Sequence, residues 1–218
     1  MVIADAIQDA DLFELGKAVA GQALVCGGSG IALGLPANFG HQPQVPQWQS
    51  VAGPGVVISG SCSRATRGQV DRFRSTHPAR EVTAEEAVSG AVSAAELAGW
   101  VLDQDEVPVI YSSAEPEVLR AAQERLGRDV AASAIEGLFQ VLAATLSSRG
   151  VTWIVVAGGE TSGAVVNGLG ADVLEIGPRI APGVPVMRTG NMALALKSGN
   201  FGGPDFFAEA LTIMETDQ

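Results

Sequence analysis

The pattern of apolar positions predicts a chain in which strands and helices alternate. Short runs rich in Val, Ile and Leu predict buried strands, and apolar residues spaced three and four apart predict helices. Strands are expected at 23–26, 56–58, 80–82, 108–111, 151–156, 172–176, 185–188 and 192–197. Helices are expected at 9–20, 63–76, 83–101, 116–127, 129–150, 161–170 and 205–214. This order predicts a three-layer α/β domain, with a mostly parallel or mixed central sheet and helices on both faces.

Capping residues mark where several of these helices begin. Ser63 is a candidate N-cap, and Thr83 followed by Glu86 forms a capping-box pattern that opens the helix through residue 101. Asp129 is expected to cap the longest helix, and Thr161 or Ser162 the helix after the strand at 151–156. The long polar segment at 37–55 predicts a loop, and residues 185–197 predict a hairpin around Gly190. No linker divides the chain, so residues 1–218 are expected to form a single domain.

Several predicted strands end in turns made of glycine and hydroxyl residues. These turns lie at residues 27–30, 59–66, 158–163 and 198–203. Because the carboxyl ends of parallel strands meet at one edge of a sheet, such turns can present backbone N–H groups to a common ligand. Helix N-termini and glycine turns favour anions. The pattern therefore favours a polyphosphate site, although each turn taken alone is equally consistent with a structural role.

Overall charge and composition limit the function classes. The net charge of −11 argues against nucleic acid as a partner, because such binding depends on Lys and Arg. The N-terminus has no basic leader and the chain has no apolar run long enough to cross a bilayer, so we expect a cytoplasmic protein without a membrane partner. Cys26 and Cys62 are too few and too far apart in sequence for a disulfide framework or a metal site.

Few charged side chains accompany the glycine turns. Lys197 stands directly before Ser198 and is placed to neutralise a phosphate, and Arg64 or Arg67 is a weaker candidate. Glu160 is expected either to hold a water of a magnesium ion or a ribose hydroxyl, or only to complement the helix dipole. The P-loop pattern is absent, and the glycine spacing at 28–34 does not fit the dinucleotide fingerprint.

Four strings in this order resemble the four-carbon acid sugar kinase family, in its C-terminal nucleotide-binding half. They are Gly-Gly-Ser-Gly at 27–30, Ser-Gly-Ser-Cys-Ser at 59–63, Gly-Gly-Glu-Thr-Ser-Gly at 158–163 and Leu-Lys-Ser-Gly-Asn-Phe-Gly-Gly-Pro-Asp-Phe-Phe at 196–207. The resemblance covers essentially the whole chain, and the string at 196–207 is its most specific part. It implies a kinase that uses ATP and Mg²⁺ to phosphorylate a tetronate or 3-oxo-tetronate acid.

The resemblance also implies which residues bind the nucleotide. They are Ser59, Gly60, Ser61, Gly158, Gly159, Glu160, Thr161, Lys197, Ser198, Gly199, Asn200 and Gly202. No catalytic base and no metal ligand is assigned within this chain. The segment at 187–192 looks shorter than the corresponding loop of the family.

Family members are typically about twice this length, with an N-terminal half that binds the sugar acid. This chain therefore resembles half an enzyme, which is expected to bind ATP without appreciable turnover and to need an N-terminal half or a partner subunit. A homo-oligomer is compatible with the sequence. The alternatives are a non-catalytic nucleotide-binding or partner-binding module, and a dinucleotide-dependent oxidoreductase that would bind NAD in preference to ATP.

Overall fold

The computed structural model of the chain describes residues 3–44, 46–112, 124–125 and 127–217. Contacts divide the chain into two compact units, Met1–Val45 and Pro46–Gln218. That residues 1–218 act as a single nucleotide-binding domain stays a prediction. The helix expected at 116–127 lies largely outside the described residues.

The first unit contains helix α1 (Asp9–Ala18) and two 3₁₀ turns, Ser29–Leu33 and Pro36–Phe39. Gly16 of α1 approaches the backbone of Gly34 so closely that neither position has room for a β-carbon. The strand expected at 23–26 is wrong, because this segment is irregular and Leu24 is 84% exposed. A short apolar run forms a strand only where another strand pairs with it.

The second unit is built on a seven-stranded sheet. Its strands are β1 (Gly55–Ser59), β2 (Ala79–Glu81), β3 (Val109–Tyr111), β4 (Trp153–Ala157), β5 (Glu175–Ala181), β6 (Val184–Thr189) and β7 (Met192–Lys197). The strand order is β2-β3-β1-β4-β7-β6-β5. The first five strands in that order run parallel, and β6 pairs antiparallel with both β7 and β5. The sheet is thus mixed, with an antiparallel hairpin at one edge, which confirms the predicted fold class.

Helices cover both faces of this sheet. They are α2 (Arg64–Phe73), α3 (Ala84–Ser89), α4 (Ala94–Leu102), α5 (Arg128–Ser148), α6 (Gly159–Leu169) and α7 (Phe206–Glu215). Val57, Val155 and Ala195 face α2 and α7, whereas their neighbours Ile58, Ile154 and Leu194 face the other group of helices. The alternation follows from the two-residue period of a strand, and it produces one apolar core on each side.

Three helix starts differ from the sequence expectation. The single helix expected at 83–101 is divided into α3 and α4, because Gly90 ends α3 in the left-handed conformation and Ser93 begins α4 with its own capping box. Asp129 is not a cap, since Gly127 precedes α5. Neither Thr161 nor Ser162 caps α6, whose N-cap is Gly158. The caps expected at Ser63 and Thr83 are confirmed.

Helix α5 is the longest helix of the described residues and the one that could cross a membrane by length and composition, over Asp129–Ser148. The sequence expectation overlooked this stretch, because isolated charges interrupt it. Phe139, Leu142 and Leu146 of this helix are fully buried against the sheet. Their packing accounts for part of the apolar composition of α5, since 28% of this stretch is buried.

Candidate functional site

The carboxyl ends of three neighbouring parallel strands lie side by side. Ser59, the last residue of β1, pairs with Ala157, the last residue of β4, and Ala157 also pairs with Lys197, the last residue of β7. The turns that follow these strands therefore begin at the same level of the sheet. We call residues 60–63, 158–161 and 198–202 the first, second and third turns. The structure brings them together at one edge, as the sequence predicted.

Glycines allow the three turns to pack against one another. A β-carbon on Gly60 would collide with the side chain of Thr161, and one on Gly199 would lie 2.6 Å from Ser61 Oγ. Gly158 has a φ angle of +127°, in the region that favours glycine, and a β-carbon there would lie 2.9 Å from Thr161 Oγ1. Turn-to-turn contact thus explains these glycines. Gly159 differs, because a β-carbon there would enter open space.

The second turn leads directly into α6 without a side-chain cap. Gly158 is the N-cap, and no side chain accepts a hydrogen bond from the first turn of the helix. The Ser162 hydroxyl instead donates to the Gly158 carbonyl at 2.7 Å. Within the described residues, the N–H groups of Gly159, Glu160 and Thr161 have no acceptor. Unpaired N–H groups at a helix N-terminus attract an anion.

The other two turns add further donors of the same kind. In the part of the chain that the structure describes, the N–H groups of Ser61 and Cys62 in the first turn have no acceptor. The same is true of Gly199 and Asn200 in the third turn. Successive N–H groups that point into one space form an anion-binding concavity. The edge therefore offers backbone donors from three separate turns.

Side chains of α2 hold the third turn in place. The Ser63 and Thr66 hydroxyls both donate to the Gly199 carbonyl, at 2.5 and 2.7 Å. Gln69 Nε2 donates to the carbonyls of residues 201, 202 and 203, at 3.2, 3.1 and 2.8 Å. Thr66 and Gln69 are buried. Thr66 ends the predicted turn at 59–66, whereas the sequence indicates no role for Gln69, which is marked only by its position on the inner face of α2.

Lys197 lies beneath the third turn. Its side chain is 1% exposed, and its Nζ donates to Thr66 Oγ1 at 2.8 Å and to the carbonyls of Ser198 and Gly199 at 3.3 Å. Burial lowers the pKa of Lys197 from 10.5 to about 8. The ammonium is therefore still largely charged at neutral pH, and it contributes positive potential to this edge of an acidic protein.

The remaining predicted residues differ in their exposure. Ser59 is fully buried, and its carbonyl accepts from the Ser112 N–H at 2.8 Å. Glu160, Ser198 and Asn200 are exposed, so their side chains are accessible to a ligand. The glycine turn at 27–30 belongs to the first unit, and no strand precedes it in residues 3–26, which the structure describes.

Charged groups near the turns are few. Arg64 is exposed and Arg67 is half-buried, both in the first turns of α2. Glu160 is the acidic residue of the first turn of α6. No group of three or more His, Cys, Asp or Glu side chains able to hold a metal occurs within the described residues. The exposed carboxylate of Glu160 at the N-terminus of α6 fits a magnesium ion whose other ligands would be a bound anion and water.

Comparison with known proteins identifies sequences and folds similar to this chain. A family model described as a nucleotide-binding C-terminal domain matches residues 56–207. A 3-oxo-tetronate kinase of Cupriavidus necator is 48% identical over 221 residues, which cover 97% of this chain and 51% of the relative. A 3-oxo-tetronate kinase of Haemophilus influenzae is 40% identical over 95% of this chain and 52% of its own length.

Solved structures agree with the sequence matches. The crystal structure of the Haemophilus influenzae protein HI1011 superposes with a TM-score of 0.79 at 39% identity, and the match covers 96% of this chain and 52% of that one. The chain thus spans about half the length of the curated relatives it matches.

Proposed function

This chain belongs to the family of nucleotide-binding C-terminal domains, and on that premise we propose that it is the ATP-binding half of a kinase that phosphorylates a four-carbon sugar acid. The observation that carries the proposal is the set of backbone N–H groups at the sheet edge that have no acceptor within the described residues, contributed by all three turns. A chain of linked phosphates is the anion that can engage several such turns at once.

In this proposal the backbone N–H groups of the turns bind the phosphates of ATP. The N–H groups of Gly159, Glu160 and Thr161 bind one phosphate at the N-terminus of α6, and those of Gly199 and Asn200 bind another. Gly60 and Ser61 lie in the first turn, directly after Ser59 at the end of β1, and Gly202 ends the third turn. Phosphoryl transfer depends mostly on positioning and on stabilising the charge of the phosphates, which rigid backbone donors do well.

A magnesium ion would supply the positive charge that the neutral backbone N–H groups lack. Glu160 would hold one of its waters, and the phosphates would provide its direct ligands. The chain's own contribution is to orient the nucleotide, with Lys197 and with Arg64 and Arg67 of α2 raising the local positive potential.

The sugar acid is assigned to the part that the relatives have beyond this match. Relatives named 3-oxo-tetronate kinase are about twice as long as the matched region. The three turns contain one carboxylate, that of Glu160, and no histidine, so they offer few groups able to remove a hydroxyl proton. We therefore assign the general base and the acid-binding pocket to an N-terminal half or a partner subunit. The isolated chain is expected to bind ATP without appreciable turnover.

The test is calorimetric titration of the chain with ATP and Mg²⁺, beside two glycine variants of α6. Gly159→Val places a side chain in the open space in front of the N–H groups, since helical side chains lean toward the N-terminus. Gly163→Val makes the same change at an exposed position four residues later, where a β-carbon also meets nothing. Neither change strains the fold.

We expect wild type and Gly163→Val to bind at roughly micromolar to millimolar strength and Gly159→Val to lose binding. Equal binding by all three proteins would place the nucleotide elsewhere. Absence of heat with wild type would reject nucleotide binding by this chain alone. A repeat with NAD would test the oxidoreductase alternative.

The alternative of a non-catalytic module predicts the same ATP binding and a different result with a second component. Mixing the chain with the N-terminal half of the Cupriavidus necator relative and a 3-oxo-tetronate should restore turnover if the kinase proposal is correct. ATP binding without turnover in that mixture would favour the module.

A further inference from the structure

Lys197 is held by the protein itself. It ends β7 with its side chain on the face that Ala193 and Ala195 share, toward α2 and α7. Its ammonium has three protons to donate, and three acceptors of the protein lie within hydrogen-bonding distance: Thr66 Oγ1, the Ser198 carbonyl and the Gly199 carbonyl. The full set of donors is therefore directed inward.

Among the residues that the structure describes, no carboxylate lies beside this buried cation. Within the described residues Lys197 makes no salt bridge, and the ring of Phe206 lies 5.7 Å from its Nζ. A buried charge that is paired only with neutral oxygens is costly, and an apolar side chain in the same space would avoid that cost. Stability alone therefore does not explain a lysine at this position.

The acceptors of Lys197 determine which way the third turn faces. In a trans peptide the carbonyl and the following N–H point in opposite directions, and all described peptides are trans. Because the Ser198 carbonyl is directed toward the ammonium, the Gly199 N–H points away from it. The Gly199 carbonyl is held by Lys197, Thr66 and Ser63 together, so the Asn200 N–H also points outward.

We propose that Lys197 is a positioning residue for the phosphate site: it fixes the carbonyls of Ser198 and Gly199 inward, so that the N–H groups of Gly199 and Asn200 face the nucleotide, and it does not contact a phosphate itself. This inference rests on the proposed function, and it replaces the direct contact between Lys197 and a phosphate that the sequence suggests. Thr66 is its partner in α2, since it links the ammonium to the Gly199 carbonyl.

The test compares variants of Lys197, which carries a charge, with variants of Thr66, which is neutral. Lys197→Met removes the ammonium and keeps an unbranched side chain of similar length. Thr66→Val removes the hydroxyl and alters no charge, while Thr66→Ser keeps the hydroxyl as the matched control. ATP affinity in the presence of Mg²⁺ is measured by calorimetry for each protein and for the double variant, and melting temperatures confirm that each one folds. Amide NMR spectra report the Gly199 and Asn200 N–H groups.

If Lys197 acts through the turn, Lys197→Met and Thr66→Val each weaken ATP binding about tenfold or more, as expected when charge-assisted hydrogen bonds are lost. The double variant is little worse than either single one, and Thr66→Ser binds like wild type. The Gly199 and Asn200 amide signals shift in both weakened variants before any nucleotide is added.

Two results would overturn the inference. Unchanged binding by Thr66→Val together with lost binding by Lys197→Met would make Lys197 a direct phosphate ligand, and unchanged binding by both would remove it from the site. If Lys197→Met does not fold, the two Thr66 variants provide the test: weaker ATP binding by Thr66→Val than by Thr66→Ser supports the inference, and equal binding overturns it. A wild-type chain that binds no ATP rejects the proposed function and this inference with it.

Discussion

The Thr161 side chain occupies the space that a β-carbon on Gly60 would need. The contact joins the first turn to the second, and both residues have little freedom to move. Gly60→Ala should therefore lower the free energy of unfolding by about 1–3 kcal/mol, the usual cost of overpacking. Combining it with Thr161→Ala should recover most of that loss, because the alanine vacates the space. Urea denaturation of the four proteins measures this coupling, and simple additivity of the two changes would contradict it.

Gln69 should be sensitive to a change of charge. Its amide donates to three carbonyls of the third turn, and Gln69→Glu would place an acceptor against all three. We expect a loss of about 1–3 kcal/mol in unfolding free energy, because buried carbonyls would lose their donor. Gln140→Glu makes the same change on the exposed face of α5 and should alter stability by about 0.5 kcal/mol or less. Equal losses of unfolding free energy in the two variants would contradict the contact between Gln69 and the third turn.

Lys197 should make the stability of the chain depend on pH above neutrality. Its pKa is lowered to about 8 by burial, so between about 8 and 10.5 the unfolded chain binds more protons at this site than the folded chain. Stability linked to this group should therefore rise with pH across that window, by up to about 3 kcal/mol. Lys197→Met should lack the rise. Lys17→Met, which changes the exposed second lysine, should retain it.

ATP binding should respond to pH in the opposite direction. Loss of the proton from Lys197 weakens its hold on the Ser198 and Gly199 carbonyls, so affinity should fall as pH rises through about 8. An anion nearby favours the charged form, so binding near pH 8 should take up protons. Calorimetry in two buffers with different ionisation heats measures this uptake, and identical heats in both would contradict it. Other charged groups lie on the elements that pack against Lys197. On α2, Arg64 and Arg67 are within one helical turn of Thr66. Before α7, Asp205 is paired with Arg72.

Sequence patterns identified the parts of the site that local chemistry determines. The Ser63 cap depends on a hydroxyl three residues before the N–H that it satisfies, and the hairpin around Gly190 depends on its turn residues. Strands rich in Val and Ile were found because two buried faces require such residues. The likeness of the strings at 158–163 and 196–207 to one family indicated a nucleotide.

Features that depend on distant contacts were not accessible in the same way. The cap of α6 is Gly158 because its backbone passes close to Thr161 of the same turn and to Ser61 of the first turn, and only the assembled sheet reveals the contact with Ser61. In the sequence, Gln69 looks like an ordinary polar residue of a helix. Its bonds to the third turn are visible only in the folded structure. The apolar run at 23–26 has the composition of a strand, but the described residues of its unit, 3–44, include no strand to pair with it.

The hydrogen bonds between α2 and the third turn also bear on the order in which the parts of the chain fold. Ser63 and Gly199 are 136 residues apart in the chain, and Thr66 and Lys197 are 131 apart. Closing such long loops costs chain entropy, so we expect these contacts to form after the local helices. A chain emerging from the ribosome would hold β1 through β4 well before it had a nucleotide site. Competence to bind ATP would thus mark the completion of folding and would not guide its early steps.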